Sequence, residues 1–270
     1  MRIAACQMVS GIDVEKNVRT AKALISSAAQ SGAELVVLPE YFALMPESDS
    51  QLLEMSESFG SGPVQEAMSQ AAKDSQIWLV AGTIPLKADD DKHFIDACIV
   101  YNPNGEVAAR YDKIHLFQFE RGNEHYHEAQ TTQAGHEVKS VNIETWEGIC
   151  KVGLSVCFDL RFPELFRKLD TPDIITLPAA FTTFTGRAHW DPLLRARAIE
   201  NQCYVLACAQ GGTHESGRQT WGHSILIDPW GVTVAELTQG EGVLLGDVYP
   251  SRIKQSREIL PALKSRTLAQ

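Results

Sequence analysis

Three residues of this 270-residue chain stand where chemistry could be done, each following an apolar run: Glu40 in LVVLPEYF, Lys113 in RYDKIHLF and Cys157 in GLSVCFDLRFPEL. A carboxylate is a general base, an ammonium stabilises negative charge, and a thiol is a nucleophile once deprotonated. Singly, each has a duller explanation. A rim glutamate caps a loop, a strand-end lysine is solvated, and a free cysteine is among the most buried of side chains. Together they could supply base, cation and nucleophile to one pocket, which is the equipment for attacking an unreactive carbonyl.

Positioning them requires strands that end on one side. Apolar, β-branched runs recur at 2–9, 33–39, 77–85, 96–103, 106–112, 149–157, 173–178, 203–210, 223–229, 232–237 and 242–249, most of them bounded by Gly, Pro, Asp or Asn. Helical patterns lie between them. VEKNVRTAKALISSAAQ follows Asp13 as an N-cap, and PVQEAMSQAAKD, PELFRKL and DPLLRARAIENQ each begin near a proline suited to a first turn. Strands alternating with helices predict an α/β protein, whose sites sit at the carboxyl ends of its strands.

The chain also echoes itself. ELVVLPEYF (34–42) matches DIITLPAAF (173–181), IWLVAGTIP (77–85) matches YVLACAQGG (204–212), and CIVYNPNGEVAARY (98–111) matches SILIDPWGVTVAEL (224–237). RIAACQMV and KVGLSVCF form a fourth pair in the same order. This predicts a four-layer α-β-β-α sandwich of two similar halves. With no linker between the halves, one domain over residues 1–270 is expected. The echo fails where chemistry is suspected: Glu40 corresponds to Ala179, and Cys157 falls opposite Met8 and Val9.

Composition narrows the function classes. A formal net charge of −10 argues against nucleic acid as a partner, because phosphate binding needs a basic surface. No apolar run is long enough to span a bilayer, and the N-terminus does not read as a signal peptide, so a cytoplasmic protein without a membrane partner is expected. Six cysteines without a CxxC pair suggest reduced thiols. The HxH pair His125 and His127, flanked by Glu124 and Glu128, is the one hint of a metal. Further ligands at suitable spacing do not follow, so neither a metal nor another cofactor is expected. There is no GxSxG, GxGxxG or P-loop.

The three motifs, in this order and separation, resemble the nitrilase, or carbon–nitrogen hydrolase, superfamily, and the likeness extends through AFTTFTGRAHWDPLLRARAIENQCYV and GHSILIDPWGVTVAE. The resemblance implies the four-layer sandwich already reached from the echo. It also implies a hydrolase of linear amides, with Cys157 as nucleophile, Glu40 as base and Lys113 as oxyanion cation, joined by the Phe158 N–H. The family's second glutamate falls in NEHYHEAQ, where its spacing favours Glu128 over Glu124. Thr182 and Thr185 lie in the matching stretch, and an anionic substrate would call on Arg161, Arg187 or Arg218. The second half resembles the branch whose substrate is the 2-oxoglutaramate-headed analogue of glutathione. Alternatives are a short-chain ω-amidase and a binding or scaffold protein that has lost catalysis. A homodimer through PELFRKL and DPLLRARAIENQ is implied, with higher homo-oligomers open.

Overall fold

The computed structural model describes residues 1–122 and 124–267. In chain order the strands are β1 (Arg2–Gln7), β2 (Leu35–Val37), β3 (Trp78–Val80), β4 (Ile84–Lys87), β5 (Phe94–Tyr101), β6 (Val107–Asp112), β7 (Gln118–Arg121), β8 (Glu124–His127), β9 (Ser140–Thr145), β10 (Gly148–Leu154), β11 (Ile174–Ala179), β12 (Tyr204–Ala209), β13 (Ser224–Ile227), β14 (Thr233–Leu237) and β15 (Gly242–Asp247). The helices are α1 (Val14–Gln30), α2 (Asp49–Glu54), α3 (Pro63–Ser75), α4 (Pro163–Lys168), α5 (Thr183–Asn201) and α6 (Pro250–Ile259).

Two mixed sheets result. One runs β15-β1-β2-β3-β5, with β4 and β6 also paired to β5, and the other runs β9-β10-β11-β12-β13-β14. β1, β2 and β3 are mutually parallel, as are β10, β11 and β12. Strand alternation sends Ile3, Ala5, Leu35 and Val37 into one buried cluster with Val152 and Leu154 of the other sheet. The intervening Ala4, Cys6, Val36 and Leu38 pack with Ala21 and Ile25 of α1 and Met68 of α3. Trp190, Leu194 and Ala198 of α5 and Phe166 of α4 belong to the cluster of the second sheet. The Cys208 thiol donates to the Val37 carbonyl at 3.1 Å, bridging the sheets. Each large aliphatic side chain so buried contributes about 1.5–3 kcal/mol.

The echo is written in the hydrogen-bond ladders. Ile3 pairs with Leu35 as Val152 pairs with Ile174. Leu79 pairs with Tyr101 as Val205 pairs with Ile227, both partners shifted by 126 positions (205 − 79 and 227 − 101). Even the bulges correspond, at Val100/Tyr101 and Leu226/Ile227. The ladder corrects the sequence pairing of 77–85 with 204–212, which is one residue out.

Other expectations shift too. The run 77–85 is not one strand but β3 and β4, broken at Gly82, whose φ is +51 and where a Cβ would lie 2.1 Å from the Pro39 carbonyl oxygen. Only glycine permits that approach. The helix expected to start near Pro192 begins at Thr183, capped by the Thr182 side chain, with Pro192 inside it. The strands β7, β8 and β9 and the helices α2 and α6 were not anticipated.

Candidate active site

The parallel strands deliver the three residues to one rim. Cys157 follows β10 through Ser155 and Val156, Glu40 follows β2, and Lys113 directly follows β6. All are buried: Glu40 and Lys113 are 1% exposed and Cys157 8%.

Cys157 starts a short 3-10 turn (Cys157–Arg161) with φ +45, a left-handed conformation that costs a non-glycine residue about 1–3 kcal/mol. Asp159 holds it there. Its fully buried carboxylate accepts the Val156 N–H at 2.8 Å and the Tyr111 hydroxyl at 2.7 Å on one oxygen, and on the other the His115 N–H at 3.1 Å and Nδ1 at 2.7 Å. Tyr111 and His115 flank Lys113, so one carboxylate ties the lysine's backbone to the cysteine's. Phe158 lies in the first turn, where N–H groups have no intrahelical partner.

Lys113 Nζ donates to Glu40 Oε1 at 2.7 Å and lies 2.8 Å from Glu128 Oε2. Burial alone would lower its pKa, but Glu128 and Glu40 outweigh that and hold it well above its ordinary value. Glu128, on a 3-10 turn after β8, also accepts the Phe117 N–H at 2.7 Å and the Tyr41 hydroxyl at 3.0 Å. Glu40 Oε2 accepts the Ala180 N–H at 2.8 Å, and the Glu40 carbonyl accepts Gln210 Nε2 at 3.1 Å. Burial first, and then the Glu40 carboxylate, push the Cys157 thiol well above its usual range against the opposing pull of Lys113. Lys113 favours the thiolate but is outweighed, and Glu40 stands beside the sulfur as a base for its proton.

Glu128 is thus brought to Lys113, while the Glu124 side chain lies outside the described residues. Phe158, Arg161, Thr182 and Thr185 line the cavity with Cys157, as do Phe117 and Arg218. Arg187 does not. It lies exposed on α5, whose N-terminal turn brings Thr182 and Thr185 to the site and carries Arg187 past it. Arg195 and Arg197 of the same helix are paired with Asp191 and Glu200. The free space beside the thiol is narrow, about 10 Å³, room for a single water. A vestibule of about 560 Å³ lies beyond, lined by His125, His127, Tyr41 and Arg218. His125 and His127 share a face of β8 there, and among the described residues no group of three metal-ligating side chains converges.

Sequence reasoning missed Asp159 and Asp96. Asp96, 2% exposed on β5, has no hydrogen-bond partner on either oxygen and stands 3.9 Å from Lys113 Nζ. Burial raises its pKa to about 8. A lone carboxylate in the apolar run FIDACIVY was the available signal, as was an acid two residues after the cysteine for Asp159.

A buried thiol, base and ammonium on one rim can open an amide through a thioester, and comparison with known proteins agrees. The carbon–nitrogen hydrolase family model matches residues 2–258. The chain is 39% identical to the deaminated glutathione amidase of Synechocystis sp., covering 97% of both chains. It is 38% identical to that of Homo sapiens, covering 98% of this chain and 81% of the relative. Among solved structures it resembles Saccharomyces cerevisiae Nit3, a member of branch 10 of the nitrilase superfamily, with a TM-score of 0.86, 31% identity and coverage of 99% and 97%. The chain belongs to the carbon–nitrogen hydrolase family.

Proposed function

We propose that this protein hydrolyses deaminated glutathione to 2-oxoglutarate and cysteinylglycine, with Cys157 as nucleophile. The observation that carries the chemistry is the Glu40–Lys113–Glu128 array at 2.7 and 2.8 Å beside a cysteine held at φ +45. The substrate rests on the curated relatives, which bear that activity in their names over nearly the whole chain.

Burial and the Glu40 carboxylate favour the thiol over the thiolate, so the attack needs a base to take the sulfur's proton. As sulfur bonds to the amide carbon, its proton passes to Glu40. The charge developing on the carbonyl oxygen is met by Lys113 and the Phe158 N–H. Glu40 then gives the proton to the departing amine, the C–N bond breaks, and the thioester remains. A water entering where the amine stood loses its proton to Glu40 and attacks the thioester, returning the thiol and a carboxylic acid. Glu128 keeps Lys113 aimed throughout, fixed in turn by Tyr41 and the Phe117 N–H.

We infer that both halves work as a single domain, in the cytoplasm, and as a homodimer. Exposed Ile199 on α5 with Trp230, Val232 and Val234 supports that pairing. The deciding experiment compares kcat/KM for deaminated glutathione and 2-oxoglutaramate. The expected preference is for the former; equal or reversed preference makes the protein an ω-amidase, and no turnover of either leaves it a binding protein.

A further inference from the structure

Three arginines are candidates to meet an anionic substrate, and their surroundings differ. Arg187 is exposed and away from the cavity. Arg161 is engaged, with Nη1 3.2 Å from His189 Nδ1 and its guanidinium over the Phe158 and Phe181 rings. Arg218, in the turn between β12 and β13, lines both the cavity of Cys157 and the vestibule. Its guanidinium lies over the rings of Tyr41 and Tyr126, 5.7 and 5.1 Å from their centroids. Nη2 donates to the Ala180 carbonyl at 3.2 Å, whereas Nε is buried with no partner, and Arg218 forms no ion pair among the described residues.

A partly buried guanidinium whose Nε is buried and idle is costly unless something arrives to accept from it. A carboxylate fits the planar fork through two parallel hydrogen bonds. The location says which carboxylate. Ala180 binds Arg218 through its carbonyl and the Glu40 carboxylate through its N–H, so the guanidinium with its idle Nε is fastened to the same residue as the general base. An anion there lies a short chain from the carbonyl that Cys157 attacks. The acyl group, which stays on sulfur through both steps, suits this reach; the carboxylate of a dipeptide leaving group is farther from the scissile carbon.

We propose that Arg218 is the specificity-determining residue of the site, binding through Nε and an Nη the carboxylate on the acyl side of the substrate and so selecting monoamides of short dicarboxylic acids. This rests on the amidase reading above.

The test uses glutaramate and the neutral amide of equal chain length, pentanamide, with the wild type, Arg218→Met, Arg218→Lys and Arg161→Met. The wild type should prefer glutaramate. In Arg218→Met the ratio of the two kcat/KM values should fall at least about 30-fold, the size expected for losing a charged hydrogen-bond partner, and Arg218→Lys should recover part of it. Glutarate should slow alkylation of Cys157 by iodoacetamide in the wild type and not in Arg218→Met, a readout that needs no turnover. Thermal unfolding checks that each variant is folded. An unchanged ratio in Arg218→Met and Arg218→Lys, a collapse found instead in Arg161→Met, or a wild type indifferent to the carboxylate overturns the proposal while leaving the amidase reading intact. Failure of the wild type to cleave any amide overturns the amidase reading, and glutarate protection then still reports on Arg218.

Discussion

The two halves share a frame strand for strand, yet equivalent strand ends have opposite contents. The site takes Cys157 from the second half and Glu40 and Lys113 from the first, and the equivalent positions of the other half are Met8, Ala179 and Gln239, taking the ladder offsets (157 − 149, 40 + 139, 113 + 126). Met8 is fully buried and forms a parallel bridge to Gln210, and Ala179 is fully buried in the core. Gln239 is exposed, donating to the Trp221 carbonyl. One set of equivalent strand ends bears ionisable groups; in the other, Met8 bridges the two sheets and Ala179 fills the core. The difference teaches that the frame supplies position, and that chemistry enters by a few substitutions at its strand ends.

The strongest way to break this comparison is to exchange roles between partners. Cys157→Ala should lower kcat by on the order of 10⁴–10⁶-fold, whereas Met8→Ala should cost about 2–5 kcal/mol of stability in denaturant unfolding with turnover surviving in the folded fraction. A folded Met8→Ala protein as inactive as Cys157→Ala would end the distinction. Next, Glu40→Gln should slow turnover about 10²–10⁴-fold while speeding alkylation of Cys157 at pH 8, because Glu40 is what, after burial, keeps the thiol's pKa high. Slower alkylation would contradict the sign of that interaction. Lys113→Met should cost about 10²–10³-fold in kcat; its counterpart Gln239→Met, a surface change, should shift stability by no more than about 0.5 kcal/mol and leave steady-state rates alone.

The smallest effect concerns Asp96. Its folded pKa, raised to about 8, exceeds the unfolded value near 3.9. Stability is therefore whole below that lower value and is lost as pH rises toward 8. Asp96→Asn should remove the loss, raising Tm by about 2–4 °C at pH 8.5 and little at pH 4. An equal shift at both pH values would place the penalty elsewhere.

Much of this was legible because strands and their turns leave strong local marks. The PxG turns 126 positions apart announced matching hairpins, and LVVLPE, RYDK and LSVC each showed a charged or nucleophilic residue where an apolar run ends. What escaped reading depends on contacts remote in sequence. The one-residue error between β3 and β12 arises because register is set by ladder partners. Asp159 is informative only once Tyr111 and His115 stand beside it, 48 and 44 residues away. Arg187 and Arg218 look alike in sequence, and α5 turns one outward while the loop after β12 points the other at Ala180.

The hairpin β7–β8 belongs to neither large sheet. It meets the frame through aromatic contacts, Phe117 with Phe158 and Phe119 with Phe184, while Asp159 locks nucleophile and cation together on the frame itself. The hairpin is nevertheless tied to the catalytic array, because Phe117 before β7 holds Glu128 after β8, and Glu128 holds Lys113. Descendants of this chain can vary the hairpin's tip while its two ends stay fixed on Glu128, whereas an insertion between Tyr111 and His115 strikes at both catalytic partners together.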